Sequence, residues 1–202
     1  MDISSFGIKE VIAWLRGQVA DRRNILIAGS TGTGKTTLLA RLLDTVGSEE
    51  RLAVIEEPRE IETTHPHTFH LEARGASTEG KGEVTLRTLV RNSLRMRPDR
   101  IILGEVRGEE AFELLQAMNT GHRGTLGTIH ANSALDALKR LESLAILVGY
   151  SIPLKVIREW IGSSVQAVVF LERCSGQRWI TEALLVHGLE GDVYRVTPKY
   201  KS

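Results

Sequence analysis

Apolar residues change period several times along the chain, and each change marks an element. Ile8, Val11, Ile12 and Leu15 recur at three- and four-residue steps, which predicts a short lead-in helix over Ile8–Arg16 ending at Gly17. Asn24–Ala28 is a continuous apolar run, the mark of a strand buried on both faces. Thr37–Val46 returns to helical spacing, and Arg51–Glu56, bearing Leu52, Val54 and Ile55, has strand character. Thr68–Leu71 is a candidate further strand. Glu72–Glu83 contains Gly75, Gly80 and Gly82 with little apolar content, a loop long enough to carry function or mobility. Thr85 is placed to cap a helix reaching about Met96, with Leu86, Leu89, Val90 and Leu94 on its buried face and Pro98 as its stop. Arg100–Gly104 is the clearest buried strand. A helix over Glu109–Asn119, a strand over Thr125–Ile129 and helices over Leu135–Leu147 and Leu154–Gly162 follow. From Gln166 the pattern shifts to strand-like stretches at Gln166–Leu171, Arg178–His187 and Asp192–Val196, joined by turn signals at Ser175-Gly176 and Glu190-Gly191-Asp192.

Strands alternating with helices predict an α/β fold, a mainly parallel sheet with helices on both faces, closed by an antiparallel hairpin or meander. The chain has 202 residues, 42% of them hydrophobic, enough for one domain with a sizeable core or one domain with a small appendage, but not for two full domains. Its 26 basic and 25 acidic side chains leave a net charge of +1, which excludes a large field drawing the whole molecule to nucleic acid or an anionic membrane. A local basic patch remains open. Cys174, the single cysteine, cannot form an intramolecular disulfide, and no signal peptide or apolar run of membrane-spanning length appears, so a reducing cytosol is expected, with Cys174 a small packing residue.

The chemistry begins where the first buried strand ends. Gly29-Ser30-Thr31-Gly32-Thr33-Gly34-Lys35-Thr36, followed by Thr37, fits G-x-x-x-x-G-K-[ST] between a strand and a helix, the context in which that pattern cradles phosphates. Three glycines let the backbone turn back and aim N–H groups at a polyphosphate. Lys35 would reach the β and γ phosphates and Thr36 would hold Mg²⁺, aided by the positive end of the helix. ATP and Mg²⁺ are therefore the expected ligands. Two or three strand and helix units separate this loop from the strand ending at Glu105, which favours a sheet with at least one strand inserted between them. At the carboxyl end of a parallel strand, Glu105 would orient or deprotonate a water attacking the γ-phosphate, or hold a water on Mg²⁺. Glu56, Glu57 and Glu60 follow the second strand at the same end, either as a Mg²⁺-facing acidic set or as a surface turn around Pro58. His130, at the end of another strand, could donate to the γ-phosphate, whereas His122 is as readily structural as functional. Arg87, Arg91 and Arg95 fall at four-residue steps on one stripe, with Arg97, Arg100 and Arg107 extending the basic density. The stripe is either a solvated face or a source of an arginine acting across a subunit boundary.

Leu94-Arg-Met-Arg-Pro-Asp-Arg-Ile-Ile-Leu-Gly-Glu-Val-Arg-Gly108 and Met118-Asn-Thr-Gly-His-Arg-Gly-Thr-Leu-Gly-Thr-Ile-His-Ala-Asn132 resemble the acidic-strand and histidine boxes of the ATPases that power type II and type IV secretion, conjugal transfer and pilus assembly. The likeness is greatest to the conjugal-transfer and tight-adherence pilus branches and covers about Ile8 to at least Leu144. It implies a RecA-like P-loop domain, Mg²⁺-dependent ATP hydrolysis, and a homo-hexamer docked at the cytoplasmic face of an inner-membrane secretion or pilus apparatus. Sequence-specific nucleic-acid binding is not expected. Lys35 and Thr36 match the family's phosphate-loop pair, Glu105 its acidic-strand glutamate, Glu60 the last glutamate of its acidic box, and His122 and His130 its histidine box. Glu57 replaces the usual aspartate, where it would reach the metal through water, and Arg123 replaces a residue usually acidic or small. Family members generally carry an N-terminal domain before the lead-in helix. With Met1 only a few residues before that helix, the chain is expected to be the motor domain alone: residues 1–20 lead in, 21–132 form the nucleotide-binding core, and 133–202 supply the C-terminal helices and strands. Two other readings stay open, a nucleotide-gated binding module with little turnover and a RecA-like nucleic-acid translocase.

Overall fold

The computed structural model describes residues 3–78, 80–174 and 176–201, except for the side chain of Cys174. The chain opens with a 3-10 turn at Ile3–Phe6 and then gives α1 (Lys9–Ala20), β1 (Ile25–Gly29), α2 (Lys35–Leu43), β2 (Leu52–Glu56) and β3 (Thr68–Glu72). It continues with α3 (Leu86–Ser93), β4 (Arg100–Val106), α4 (Glu110–Asn119), β5 (Leu126–Ile129), α5 (Ala134–Ile146) and α6 (Leu154–Ser164). Strands β6 (Ala167–Cys174), β7 (Gln177–Glu190) and β8 (Val193–Lys201) close it. All the strands form one eight-stranded sheet in the order β3-β2-β4-β5-β1-β6-β7-β8. The six from β3 to β6 are parallel, and β7 and β8 add antiparallel. Strand β5 lies between β1 and β4, the insertion that the spacing predicts.

The apolar runs are continuous because this sheet is covered twice. Successive residues of a strand point to opposite faces. Ile25 and Ile27 of β1 join Leu52, Val54 and Ile102 beneath α1 and α2, while Leu26 and Ala28 join Ile55, Ile101 and Leu103 beneath α3 to α6. Leu26 is fully buried, so its truncation to Ala would cost about 2–5 kcal/mol.

Several boundaries differ from the periodic reading for local reasons. Helix α1 runs through Gly17 to Ala20, because burial of Val19 outweighs the roughly 1 kcal/mol that a helical glycine costs. It then reverses through Arg22, held at a left-handed φ of 55°. Helix α2 starts at Lys35, so Lys35 and Thr36 lie in its first turn, and stops at Leu43. Thr85 caps α3, its hydroxyl accepting from the Thr88 N–H at 3.2 Å; the α-helix ends at Ser93 and tightens into a 3-10 turn before Pro98. The Glu72–Glu83 stretch is tied down by paired backbone bonds between Arg74 and Val84. Strands β6, β7 and β8 are longer than expected, and Ser175 of the predicted turn lies outside the described residues.

The basic density divides. Arg100 is 1% exposed and holds Glu50 with two bonds of 2.9 and 2.7 Å while donating to the Val19 carbonyl. It is a buried clamp, with no part in a basic surface. Its guanidinium passes so close to Gly124 that a Cβ there would lie 2.8 Å from Nη1. Arg87 is engaged by Glu113, Glu109 and the Tyr150 hydroxyl at 3.0 Å each. Those bonds tie α3 to α4 and to the loop after α5 within this chain, which removes Arg87 as a residue reaching across a boundary.

Candidate active site

The phosphate loop is built by close approaches that admit no side chain. At Gly29, where φ is 150°, a Cβ would lie 2.5 Å from the Leu171 carbonyl oxygen, and Gly34 adopts a φ of 94° at the start of α2. The Thr33 hydroxyl donates to the Ser30 carbonyl at 2.9 Å and pins the loop across its mouth. The first N–H groups of α2, those of Lys35, Thr36 and Thr37, have no acceptor within the helix and are the donors that a helix N-terminus offers to an anion. The Lys35 ammonium is folded onto the loop, donating to the Gly29 and Ser30 carbonyls at 3.0 and 2.9 Å. Burial pushes its pKa down, partly opposed by the negative charge of Glu105. A buried cation ringed by carbonyls is poised to exchange them for phosphate oxygens, a stronger charge-assisted partner.

Beside the loop, Thr36, Glu57, Glu60, Glu105 and Arg107 line one narrow cleft with Glu56 and Gly104. Strand β4 continues through Glu105 to Val106, and its register against β5 shifts between Leu103 and Val106. Such an irregularity re-aims a side chain. Here it brings Glu105 Oε1 to 3.2 Å from His130 Nε2, joining two residues assigned separate tasks. Glu57 is bound by Arg107 at 2.6 Å. Among the described residues no three His, Cys, Asp or Glu side chains converge as a metal site. The Thr36 hydroxyl beside the Glu57 and Glu105 carboxylates is a set of hard oxygen donors of the kind that suits Mg²⁺, with waters and phosphate oxygens filling the rest of its shell.

His122 is not brought to the loop. It precedes β5, whereas His130 follows it, so the two stand at opposite ends of a four-residue parallel strand, about 13 Å long at about 3.3 Å per residue. Its carbonyl accepts from the Thr125 hydroxyl at 3.0 Å, a turn-forming bond, and in this chain His122 is separated from the phosphate loop by the length of the strand.

Glu56 is more than a member of the acidic run. It is 3% exposed, and its Oε1 accepts the backbone N–H of Glu60 at 3.0 Å and of Ile61 at 2.8 Å, which fixes the acidic turn over the cleft. Its Cγ lies over Gly104, where a Cβ would come within 3.0 Å. The other end of the turn is held by Asp44, whose Oδ1 accepts from Thr63 and Thr64. A glutamate closing an otherwise apolar strand was the only sign of the first anchor in the sequence; the second, 20 residues from its partners, left none.

Residues 5–182 match the profile of the type II/IV secretion system proteins. The chain belongs to that family. A protein of Mycobacterium tuberculosis named for conjugal transfer is 44% identical over 180 residues, covering 89% of this chain and 51% of the relative. The conjugal transfer protein TrbB of Rhizobium radiobacter is 35% identical over 184 residues, covering 90% and 54%. Among solved structures, the VirB11 ATPase of the Brucella suis type IV secretion system, crystallised with sulphate, is 32% identical with a TM-score of 0.78, covering 87% of this chain and 52% of that one. The chain thus spans about half the length of the secretion-family relatives it matches. Its architecture is that family's RecA-like sheet with an antiparallel C-terminal extension. Among the described residues no helix is long and apolar enough to cross a membrane.

Proposed function

We propose that this chain is the ATP-hydrolysing motor domain of a secretion, conjugation or pilus-assembly ATPase. The observation that carries the reading is the cleft in which Thr36 of the phosphate loop meets Glu105 and the acidic turn at the carboxyl ends of the parallel strands. Backbone N–H groups of Gly29 to Thr37, with the side chains of Ser30, Thr31 and Thr33 at the rim, enclose the phosphates, and Lys35 leaves its carbonyl partners to neutralise the β and γ groups. Thr36, with Glu57 and Glu105 acting through water, would hold Mg²⁺, which when bound would supply positive charge against the leaving phosphates. Glu105, held by His130 in the ligand-free chain, turns to take the proton of the attacking water. Glu60 polarises the same water, and once Glu105 turns to the water, His130 is free to donate to the γ-phosphate.

Residues 1–202 act as one motor unit. The relatives' names, a conjugal transfer protein and a type IV secretion system ATPase, support a place in a transfer or secretion apparatus; assembly as a homo-hexamer at the cytoplasmic face of an inner membrane is part of the same proposal and follows from the family resemblance of the acidic-strand and histidine boxes. Equilibrium binding of ATP tests the site: the wild-type chain is expected to bind and Lys35→Ala to lose binding about 100-fold or more, as removal of a buried phosphate partner requires. Equal affinity of the two would overturn the reading.

A further inference from the structure

The hairpin of β6 and β7 runs past the carboxyl ends of the parallel strands and forms a wall of the phosphate loop. The Leu171 carbonyl closes on Gly29, and the Arg178 side chain lies over Gly34. A Cβ at Gly34 would be 2.7 Å from Arg178 Cδ and 3.5 Å from its Nε, with Phe6 at 2.9 Å on the same glycine. Among the described residues the Arg178 guanidinium has neither a hydrogen-bond nor an ion-pair partner, although it is half-buried. The residue directly opposite it in the β6–β7 ladder is Arg173, again without a partner among the described residues. Like charges facing each other across a ladder destabilise the pair. Their tolerance beside a loop shaped for phosphate has a physical reason if an anion lies between loop and hairpin.

The face is the correct one. Leu171 and Ile180 are opposite each other and pack beneath α1 and α2, and Arg173 and Arg178 are two residues farther along the same strands. Their side chains therefore emerge on the side of α2, where the phosphate loop opens. In the sheet order β6 adjoins β1 on the edge away from β5 and β4. Glu105 and His130 thus mark one flank of the loop and the hairpin marks the other.

We infer that Arg178 is a further nucleotide-binding residue, its guanidinium holding the α-phosphate of a nucleoside di- or triphosphate from the flank opposite the hydrolytic glutamate. The inference rests on the nucleotide-site reading above. With the reacting γ-phosphate beside Glu105 and His130, the rest of the nucleotide extends across the loop toward the hairpin. Contact with the α-phosphate is common to substrate and product, so Arg178 contributes affinity for ATP and ADP alike. Gly34 is required twice over, for its left-handed backbone and for the space that the arginine stem crosses.

Calorimetric titration of ADP and of ATP into wild type, Arg178→Met and Arg178→Lys tests this. Methionine keeps a stem over Gly34 and removes the cation, and Arg178→Gln serves equally if the methionine variant does not fold. Both nucleotides are expected to bind the uncharged variants about tenfold more weakly, the KM for ATP to rise by a similar factor, and lysine to recover part of the loss. Unchanged ADP affinity in the uncharged variants would overturn the assignment, as would weaker ATP binding with ADP unaffected, since the arginine would then serve the γ end. A wild-type chain that binds neither nucleotide, or a Lys35→Ala variant that binds as well as wild type, would refute the nucleotide site itself.

Discussion

Glu56 offers the most informative perturbation, because it separates the placement of the acidic turn from its chemistry. In Glu56→Ala the N–H groups of Glu60 and Ile61 lose their acceptor. A buried donor left unpaired costs about 1–3 kcal/mol, and a donor that can reach water costs much less. The Ile61 bond is buried and the Glu60 bond only partly so, which puts the loss of stability at about 2–3 kcal/mol. The turn then shifts with Glu60 on it, and a misplacement of about 1 Å can cost on the order of 100-fold in rate. Glu56→Gln keeps the oxygen acceptor and turns an amide donor toward His70 Nδ1, which lies 3.5 Å from Glu56 Oε2 and is itself buried without a hydrogen-bond partner. The glutamine variant should therefore stay within about 1 kcal/mol of wild type. Urea unfolding measures the first quantity and phosphate release at saturating ATP the second. Turnover of Glu56→Ala within twofold of wild type, or equal damage from alanine and glutamine, would refute the anchoring role.

Three further outcomes follow from groups with well-defined partners. Burial raises the Asp44 pKa, but hydrogen bonds from Thr64, Thr63 and Arg41 outweigh it and hold the carboxyl below the usual range. A depressed carboxyl stabilises the fold above its unfolded value of about 3.9 and loses that contribution as pH falls through the native value, so the urea midpoints of wild type and Asp44→Asn should begin to converge below about pH 5 and go on converging as pH falls through the depressed native value. Burial lowers the Lys35 pKa, partly opposed by Glu105, so the ammonium is a cost to the ligand-free fold; Lys35→Met should raise the melting temperature and abolish the further rise that ATP gives the wild-type chain, as thermal denaturation with and without ATP checks. The buried Tyr194 hydroxyl donates to Glu142 at 2.7 Å, and its burial, with this bond second, raises its pKa; Tyr194→Phe should cost about 1–2 kcal/mol in urea unfolding.

Much of this was legible in the residues, and the exceptions have physical causes. The two-faced strands, the strand inserted between the phosphate loop and Glu105, and the loop itself all follow from apolar period and glycine placement. Contacts between strands distant in sequence do not. Glu105 and His130 meet because β4 and β5 are neighbours with a shifted register, which no local pattern encodes. Arg100 looked like surface charge because its partner Glu50 lies in the turn before β2, 50 residues away. His122 sits in a motif with His130, but a strand between two residues carries them to opposite ends of a sheet. Arg178 fell inside a strand of unremarkable spacing, and only the extension of the hairpin past the sheet brings it to Gly34.

The central claim, that this cleft hydrolyses ATP through Glu105, is tested most directly by phosphate release from wild type and Glu105→Gln at matched ATP occupancy. The account predicts that the variant binds ATP as wild type does and releases phosphate at least about 100-fold more slowly, the contribution expected of a positioned base. Equal release by the two proteins would contradict it.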